Sequence, residues 1–507
     1  MNRHKLAGLL AAAVMLPLPS GVALAAYHSD SGTGVSALDY IEDRHRAERE
    51  NRLSDEQKKL LEDAKALEKN LRYPLDKTKA MPVAFEGDDL TYDERDGSFV
   101  AKGHVDIVQM DAHRFQGAEV NGNTKTQDVY VPDKAHVLQM TPGQVRVTLD
   151  GYKAHYNYGK STGAMDNIKG KAGNQYITGK RVEFYPDRIV IFEGTQTKCG
   201  AKNPDYQLKA KKITIYPNDK TILENVKFCI RGKTIYSRKY YEVKAGESGT
   251  ENYPKIGYDN SDGVWIQWDF SQPIAKHVAA NANLHVTTKD GWRSNYNVTW
   301  SNAGMRTGVT YGHFEDGDSN WVKKQPSAFW SYGHKIGDTH LNYGLSAEYG
   351  RWYNKGIHSN HGKYGISLSH DAIKFNRYAL YLNTGYSVTT ESYNHSRVNG
   401  WSWSALLTKD FDERWAAYAG YYYSQSNKKN SLFAYDIADT ARRIDCGLSY
   451  RLDSKNRFVV GSRYDMEARK WLKVDYYWYH DFHCTQMIVR YRSKENSWNI
   501  RWQFTPW

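Results

Sequence analysis

Residue types that carry chemistry are plentiful in this sequence but are not spaced for catalysis. Gly159-Lys160-Ser161 reads like the end of a phosphate loop, where backbone amides and a lysine cradle phosphate oxygens. The glycine five positions earlier is Ala154, and the surrounding alternation is that of a strand, so the segment reads as a turn. There is no H-E-x-x-H helix, no G-x-S-x-G elbow and no cysteine set at zinc spacing. The 18 histidines are scattered, and His277, His285, His313, His334, His340, His361 and His370 fall in or beside alternating C-terminal strands. None forms an obvious base–nucleophile pair. No catalytic residue, metal site or cofactor is assigned, and the chemistry left to these side chains is binding.

The first residues set the compartment. Arg3, His4 and Lys5 precede a short apolar run, Leu6 to Leu18, and Ala23-Leu24-Ala25 is an A-x-A cleavage site. Residues 1–25 read as a signal peptide. The rival, a membrane anchor, needs about 18–20 apolar residues. Export permits disulfides among Cys199, Cys229, Cys446 and Cys484, but spacing does not choose among the pairings. A net charge of +12 points to an acidic partner, and export speaks against nucleic acid. The mean hydropathy of −0.74 does not distinguish a soluble chain from a β-barrel, in which only alternate residues face lipid.

Composition then divides the chain. All 15 tryptophans lie at or after Trp265, whereas only Pro273, Pro326 and Pro506 follow Pro254. Trp and Tyr favour the membrane–water interface, so the break predicts a domain over 81–246 and a membrane domain over 247–507. Residues 26–80 form a charged, partly helical arm. Ser54 and Gln57 make a capping box, Leu60, Leu61, Ala64, Leu67 and Leu71 follow helical spacing, and Pro74 ends the run. Its narrow apolar face reads as a solvated helix or partly disordered arm, with a docking helix as the rival.

Between about 82 and 246 the sequence repeats strand pairs, as in Phe85 to Tyr92 against Leu149 to Tyr156, and Ile177 to Tyr185 against Leu208 to Tyr216. Stacked rungs that each bury one face predict a β-jelly roll or open β-solenoid, with an ordinary sandwich as the alternative. Leu90, Tyr92, Val182, Phe184, Ile213 and Ile215 are the expected inward, groove-lining positions. From Pro254 onward, alternating strands of about ten residues recur, and the last sets Trp498, Ile500, Trp502 and Phe504 against Asn499, Arg501 and Gln503. This predicts an antiparallel transmembrane barrel of about 16 strands, since single-chain barrels have even counts; 14 is the alternative. Closure in lipid is forced because no backbone group can stay unpaired there. Closure also makes the first strand, near Ile256, a neighbour of the last, near Ile500 and Trp502. Pro254 stands where the first strand begins, and proline removes a ladder hydrogen bond.

Several segments resemble a known family. Gly194 to Cys199 followed by Pro204 to Ala210, and Val226 to Tyr236, resemble the OstA-type domain of lipopolysaccharide-transport proteins. Pro254 to Tyr258 with Gly263 to Ile266, Gly461 to Asp465, and Tyr479 to Cys484 with Val489 to Arg492 resemble the barrel entry and C-terminal strands of the LptD family. The order of these segments carries the resemblance. It departs from the family in its shorter barrel, in the single Cys484 where familiar members have two adjacent cysteines, and in the arm over 26–80. The resemblance implies an outer-membrane translocon rather than an enzyme. Its periplasmic jelly-roll groove would receive lipopolysaccharide, and its barrel would release it sideways through a gate at Pro254, Ile256, Ile500 and Trp502. It also implies a disulfide between Cys199 and Cys484, for which Cys229 is the rival partner of Cys199. The implied partners are lipopolysaccharide, an LptA-like OstA-type bridge protein, an LptE-like plug lipoprotein and the barrel-insertion machinery, which would read the aromatic last strand and Trp507. The alternative function is a porin-like channel with a periplasmic scaffold domain.

Overall fold

The computed structural model describes residues 34–50, the single positions Lys58 and Glu62, and residues 83–504 apart from 110–112, 140–145, 174, 202, 218, 245–252, 317–319, 426–430, 436, 439 and 483. The chain forms two compact units, Arg46–Gly249 and Thr250–Phe504, with residues 34–45 counted in the second. The helix expected over 60–71 falls outside the described residues apart from Glu62, which is helical.

The first unit is an open antiparallel sheet of twelve strands. β1 (Val83–Glu86) and β2 (Asp89–Tyr92) both pair with β3 (Ser98–Gln109), and the path then runs strand to neighbouring strand to β12 (Lys233–Lys244). Tight turns make this possible. Between β11 (Lys220–Ile230) and β12, Arg231 and Gly232 take φ values of 45° and 80°, the left-handed pair whose twist suits a two-residue hairpin. Cross-strand register assembles an apolar floor. On β7 (Thr162–Ala172), Met165 faces Val182 of β8 (Gln175–Phe184), which faces Ile191 of β9 (Ile189–Thr197). Ile191 faces Ile213 of β10 (Tyr206–Tyr216), and Ile213 faces Leu223 of β11. All five are essentially inaccessible. At about 25 cal/mol per Å² of apolar surface removed from water, rows like this hold the sheet's interior together.

The second unit is a closed antiparallel barrel. Sixteen strands cross it, from β13 (Lys255–Asp259) to β30 (Ser497–Phe504); β16 (Gly291–Trp292) and β22 (Ile373–Phe375) are short adjuncts in the same order. The even count expected from the alternating strands is therefore present. The end at which β13 begins is called here the near end, and the opposite rim the far end. Outward positions carry exposed large apolar side chains, among them Val264, Ile266, Val298, Val309, Ile366, Leu448 and Val460, with exposed Trp292, Trp401, Trp403, Trp415, Trp471, Trp498 and Trp502. Inward positions carry buried charges and tyrosines, including Asp445, Arg463, Asp475, Tyr477, Tyr479 and Arg490. This reverses the usual soluble pattern and fits a shell that faces lipid outside.

The lumen is not empty. The helix α1 (Val35–Glu50) sends Val35, Leu38 and Ile41 into a buried cluster with Tyr381, Leu406, Tyr418, Val459, Tyr477, Tyr479 and Ile488. These come from strands all along one wall of the barrel, and each points inward between outward neighbours, so this stretch of α1 lies inside. For residues 35–45 the solvated-arm expectation does not hold. The charges that made the arm look solvent-bound meet partners on the lumen wall.

Candidate functional site: the barrel seam and its filled lumen

The seam of the barrel is built by its two terminal strands. β13 is only five residues long and meets β30 through four residue pairs: Ile256 with Trp502, Gly257 with Arg501, Tyr258 with Ile500, and Asp259 with Asn499. The ladder on the other side of β30, to β29 (Thr485–Arg492), has eight pairs. The seam thus has about half the residue pairs of the β29–β30 ladder and one fewer than the five-pair ladder on the other side of β13. Pro254 precedes β13 and has no N–H to extend it. The structure places Ile256, Ile500 and Trp502 together on the outer face of this seam, all exposed. Inside, Trp265 of β14 (Gly263–Ala275) lies over Gly257, where an added Cβ would come within 2.1 Å of the indole and 2.6 Å of the Ile500 carbonyl. Only glycine leaves room for that ring.

Along the lumen wall, direct cross-strand register forms one transverse row. Arg451, ending β26 (Arg442–Arg451), faces Arg457 of β27 (Asn456–Asp465). Arg457 faces Tyr479 of β28 (Lys470–Asp481), Tyr479 faces Ile488, and Ile488 faces Arg501. Across the seam Arg501 faces Gly257, which faces Trp265. Carboxylates of α1 meet the first half of the row: Arg451 pairs with Glu42, and Arg457 Nη2 donates to Asp39 Oδ1 at 2.5 Å. The Arg457 guanidinium also lies 3.8 Å from the Tyr479 ring centroid, a stacked cation–π contact. At the near end Arg44 pairs with Asp410, and His45 Nε2 lies 2.9 Å from the same carboxylate. Sequence reasoning placed Arg501 on the polar face of the last strand but missed the row. Cross-strand register is the signal that would have found it, and one strand alone does not carry register.

At the far end the segment around Leu432, Phe433 and Tyr435 packs against Phe314, Val322, Trp352 and Ile357. Beside it Lys324 pairs with Glu348 at 2.5 Å, and His361 Nδ1 lies 2.6 Å from Glu391 under the stacked Trp352 ring. Among the described residues no hydroxyl or thiol hydrogen-bonds His361, and no group of three or more His, Cys, Asp or Glu could hold a metal.

Three comparisons bear on the chain as a whole. No family model matches it, and no curated protein matches it. Solved structures do. LptH of Pseudomonas aeruginosa, described as the LptA-homologous periplasmic component of a lipopolysaccharide transport device, is 18% identical, covers 20% of this chain and 75% of its own, and has a TM-score of 0.19. A Rh. blastica porin mutant is 11% identical over 50% of this chain and 97% of its own, with a TM-score of 0.30. The outer membrane channel DcaP of Acinetobacter baumannii is 12% identical over 50% and 94%, with a TM-score of 0.32. These likenesses are of fold; what the chain does has to come from its own geometry.

In the sheet, four of the six expected groove positions come together. Val182 and Ile213 belong to the apolar floor, and one rung away Phe184 faces Ile189, which faces Ile215. Leu90 and Tyr92, expected on the inward face, are instead 59% and 50% exposed on β2. That four-residue edge strand pairs only with β3 among the described residues, and all four of its side chains are exposed. His113 sits against Phe115, Tyr156 and Phe184. Burial depresses its pKa to about 4, so it is neutral at pH 7. Burial also pushes the Tyr156 phenol up to about 12. Among the cysteines, Cys199 and Cys484 are disulfide-bonded and buried, while Cys229 and Cys446 are free.

Proposed function

We propose that the chain is an outer-membrane translocon that receives lipopolysaccharide in the interior of its periplasmic sheet and releases it into the outer leaflet through the β13–β30 seam. The observation that carries this reading is the seam itself. A closed barrel with an apolar outer face has no edge to spare, yet its terminal strands share only four pairs, with proline at the threshold. Such a seam opens more readily than any eight-pair ladder, and it opens sideways. The apolar interior around Val182, Phe184, Ile213 and Ile215 is closed to solvent at all but Ile215, so acyl chains would enter it only as that interior opens, and the charged lumen suits a sugar-phosphate headgroup. α1 and the Phe433 segment pack inside the barrel, so the open path of the porin-like alternative would need them to move, as would passage of a headgroup.

The same reading gives partners. β1 and β2 pair only with β3, so unpaired backbone groups remain for strand addition by an LptA-like bridge protein. The Cys199 and Cys484 sulfurs are read as partners of one another. Barrel-insertion machinery would read the aromatic last strand. α1 fills lumen that an LptE-like plug lipoprotein would otherwise occupy, so the requirement for such a partner is weakened.

The test is crosslinking in cells. Photo-reactive residues at Val182 and Ile213 should capture lipopolysaccharide, and residues at outward Lys211 and Glu193 should not. Capture from the outward positions alone would overturn the groove. A cysteine pair at Tyr258 and Ile500, directly opposite in register, should form a disulfide and stop export. Normal growth with that bond fully formed would remove the gate.

A further inference from the structure

We propose that the row Arg451, Arg457, Tyr479, Arg501 and Trp265 is a binding site for a phosphate-bearing anion, and that Asp39 and Glu42 of α1 occupy half of it until the anion arrives. The row's register is direct from strand to strand. With strands about 4.8 Å apart, Arg457 and Arg501 stand roughly 14 Å from one another at the backbone, and Arg501 and Trp265 about 10 Å. Long side chains turned into one lumen close that gap.

The two halves of the row are not equally satisfied. Arg451 and Arg457 have the carboxylates of α1, although Nε of Arg457 has no hydrogen-bond partner. Arg501 is 1% exposed, and its Nε and Nη2 have no hydrogen-bond partner. The indole Nε1 of Trp265, also 1% exposed, has none either. Gln267, next inward on β14, is fully buried with both side-chain atoms unpartnered. A buried guanidinium without an acceptor is among the costliest arrangements a protein keeps. Here the unpartnered donors occupy inward positions on both sides of the seam. Such a set is completed by a multi-oxygen anion, which arginine forks engage two atoms at a time. Asp39 and Glu42 are three residues apart on one helix face and pair with the arginines on β26 and β27, while the Asp39 charge is also felt at Arg501. An anion seated between Arg457 and Arg501 would take the Asp39 partner away and loosen the helix. α1 and the anion are therefore alternative occupants. The proposal rests on the translocon reading only for the identity of the anion as a lipid headgroup.

The experiment follows α1 by amide hydrogen exchange in the full chain, in detergent micelles. Inorganic tripolyphosphate should speed exchange of residues 35–45 at least tenfold and leave β27–β29 protected. Arg501→Gln should abolish the response to the anion, measured against the variant's own anion-free exchange. If that variant does not fold, Trp265→Phe, which removes the N–H together with part of the ring, should weaken the response several-fold. A second arm replaces tripolyphosphate with a bis-phosphorylated acyl diglucosamine or its dephosphorylated form. A response to tripolyphosphate alone makes the site one for free polyphosphate; a response to the phosphorylated lipid makes it a headgroup site. No response to either anion, an unchanged response in Arg501→Gln, or equal action of the dephosphorylated lipid overturns the proposal. The tripolyphosphate arm contains no lipid, so it stands or falls separately from crosslinking at the sheet.

Discussion

His113 carries a consequence at the scale of one residue. Its ring is buried against three aromatic groups, and Nδ1 lies 2.9 Å from the Tyr156 hydroxyl, which donates to Gln109 Oε1 at 3.0 Å. Its pKa falls from 6.5 to about 4 on folding, so between those values the unfolded chain holds the extra proton. Stability contributed by the neutral ring is complete above about pH 6.5 and is lost as pH falls towards 4, up to about 3 kcal/mol. Hydrogen exchange of the sheet amides between pH 4.5 and 7.5 should show this slope, and His113→Leu should flatten it. An equal slope in the variant would place the titrating group elsewhere. Gly257 is the corresponding position in the barrel. Gly257→Ala forces a methyl into the Trp265 ring and the Ile500 carbonyl, and should lower the melting temperature of the barrel by several degrees.

At the scale of the element, α1 is held by charge as much as by apolar contact. Val35, Leu38 and Ile41 contribute about 1.5–3 kcal/mol each by burial. Asp39 and Arg457 are both nearly inaccessible, so removing one leaves the other charge stranded. Asp39→Asn should weaken docking of the helix by about 3–5 kcal/mol, and Asp39→Leu with Arg457→Met should recover most of that loss. Protection of the α1 amides reads both. Additive losses in the double variant would mean the two side chains do not act as a pair.

At the scale of the whole molecule, the sulfur pairing decides how the chain is tied. A bond between Cys199 and Cys484 would close a loop of nearly 300 residues, which chain entropy places at about 4–5 kcal/mol of stabilisation. Non-reducing peptide mapping of the mature protein should return a single crosslinked peptide containing both, with Cys229 and Cys446 alkylated. A Cys199–Cys229 peptide would refute the pairing.

What could be read from the residues alone is what alternation carries. Strand segments, the split near Pro254, the polar and aromatic faces of the last strand and an even strand count all follow from a period of two, which each strand displays by itself. Val182, Phe184, Ile213 and Ile215 were legible for the same reason. Leu90 and Tyr92 alternate equally well but lie on a strand with one neighbour, and alternation does not say whether a second layer covers a face. The arm over 26–80 reads as solvated because it is charged and its apolar stripe at 60–71 is thin, and that stripe does not point to α1 at 35–50; only the closed barrel supplies the arginines and tyrosines that make the charges of α1 an interior. The row Arg451, Arg457, Tyr479, Arg501 and Trp265 draws on five of seven successive strands scattered from residue 265 to residue 501. Register between strands is set by turns and packing along the whole circuit. Only the tertiary structure could bring those side chains to one level of one wall.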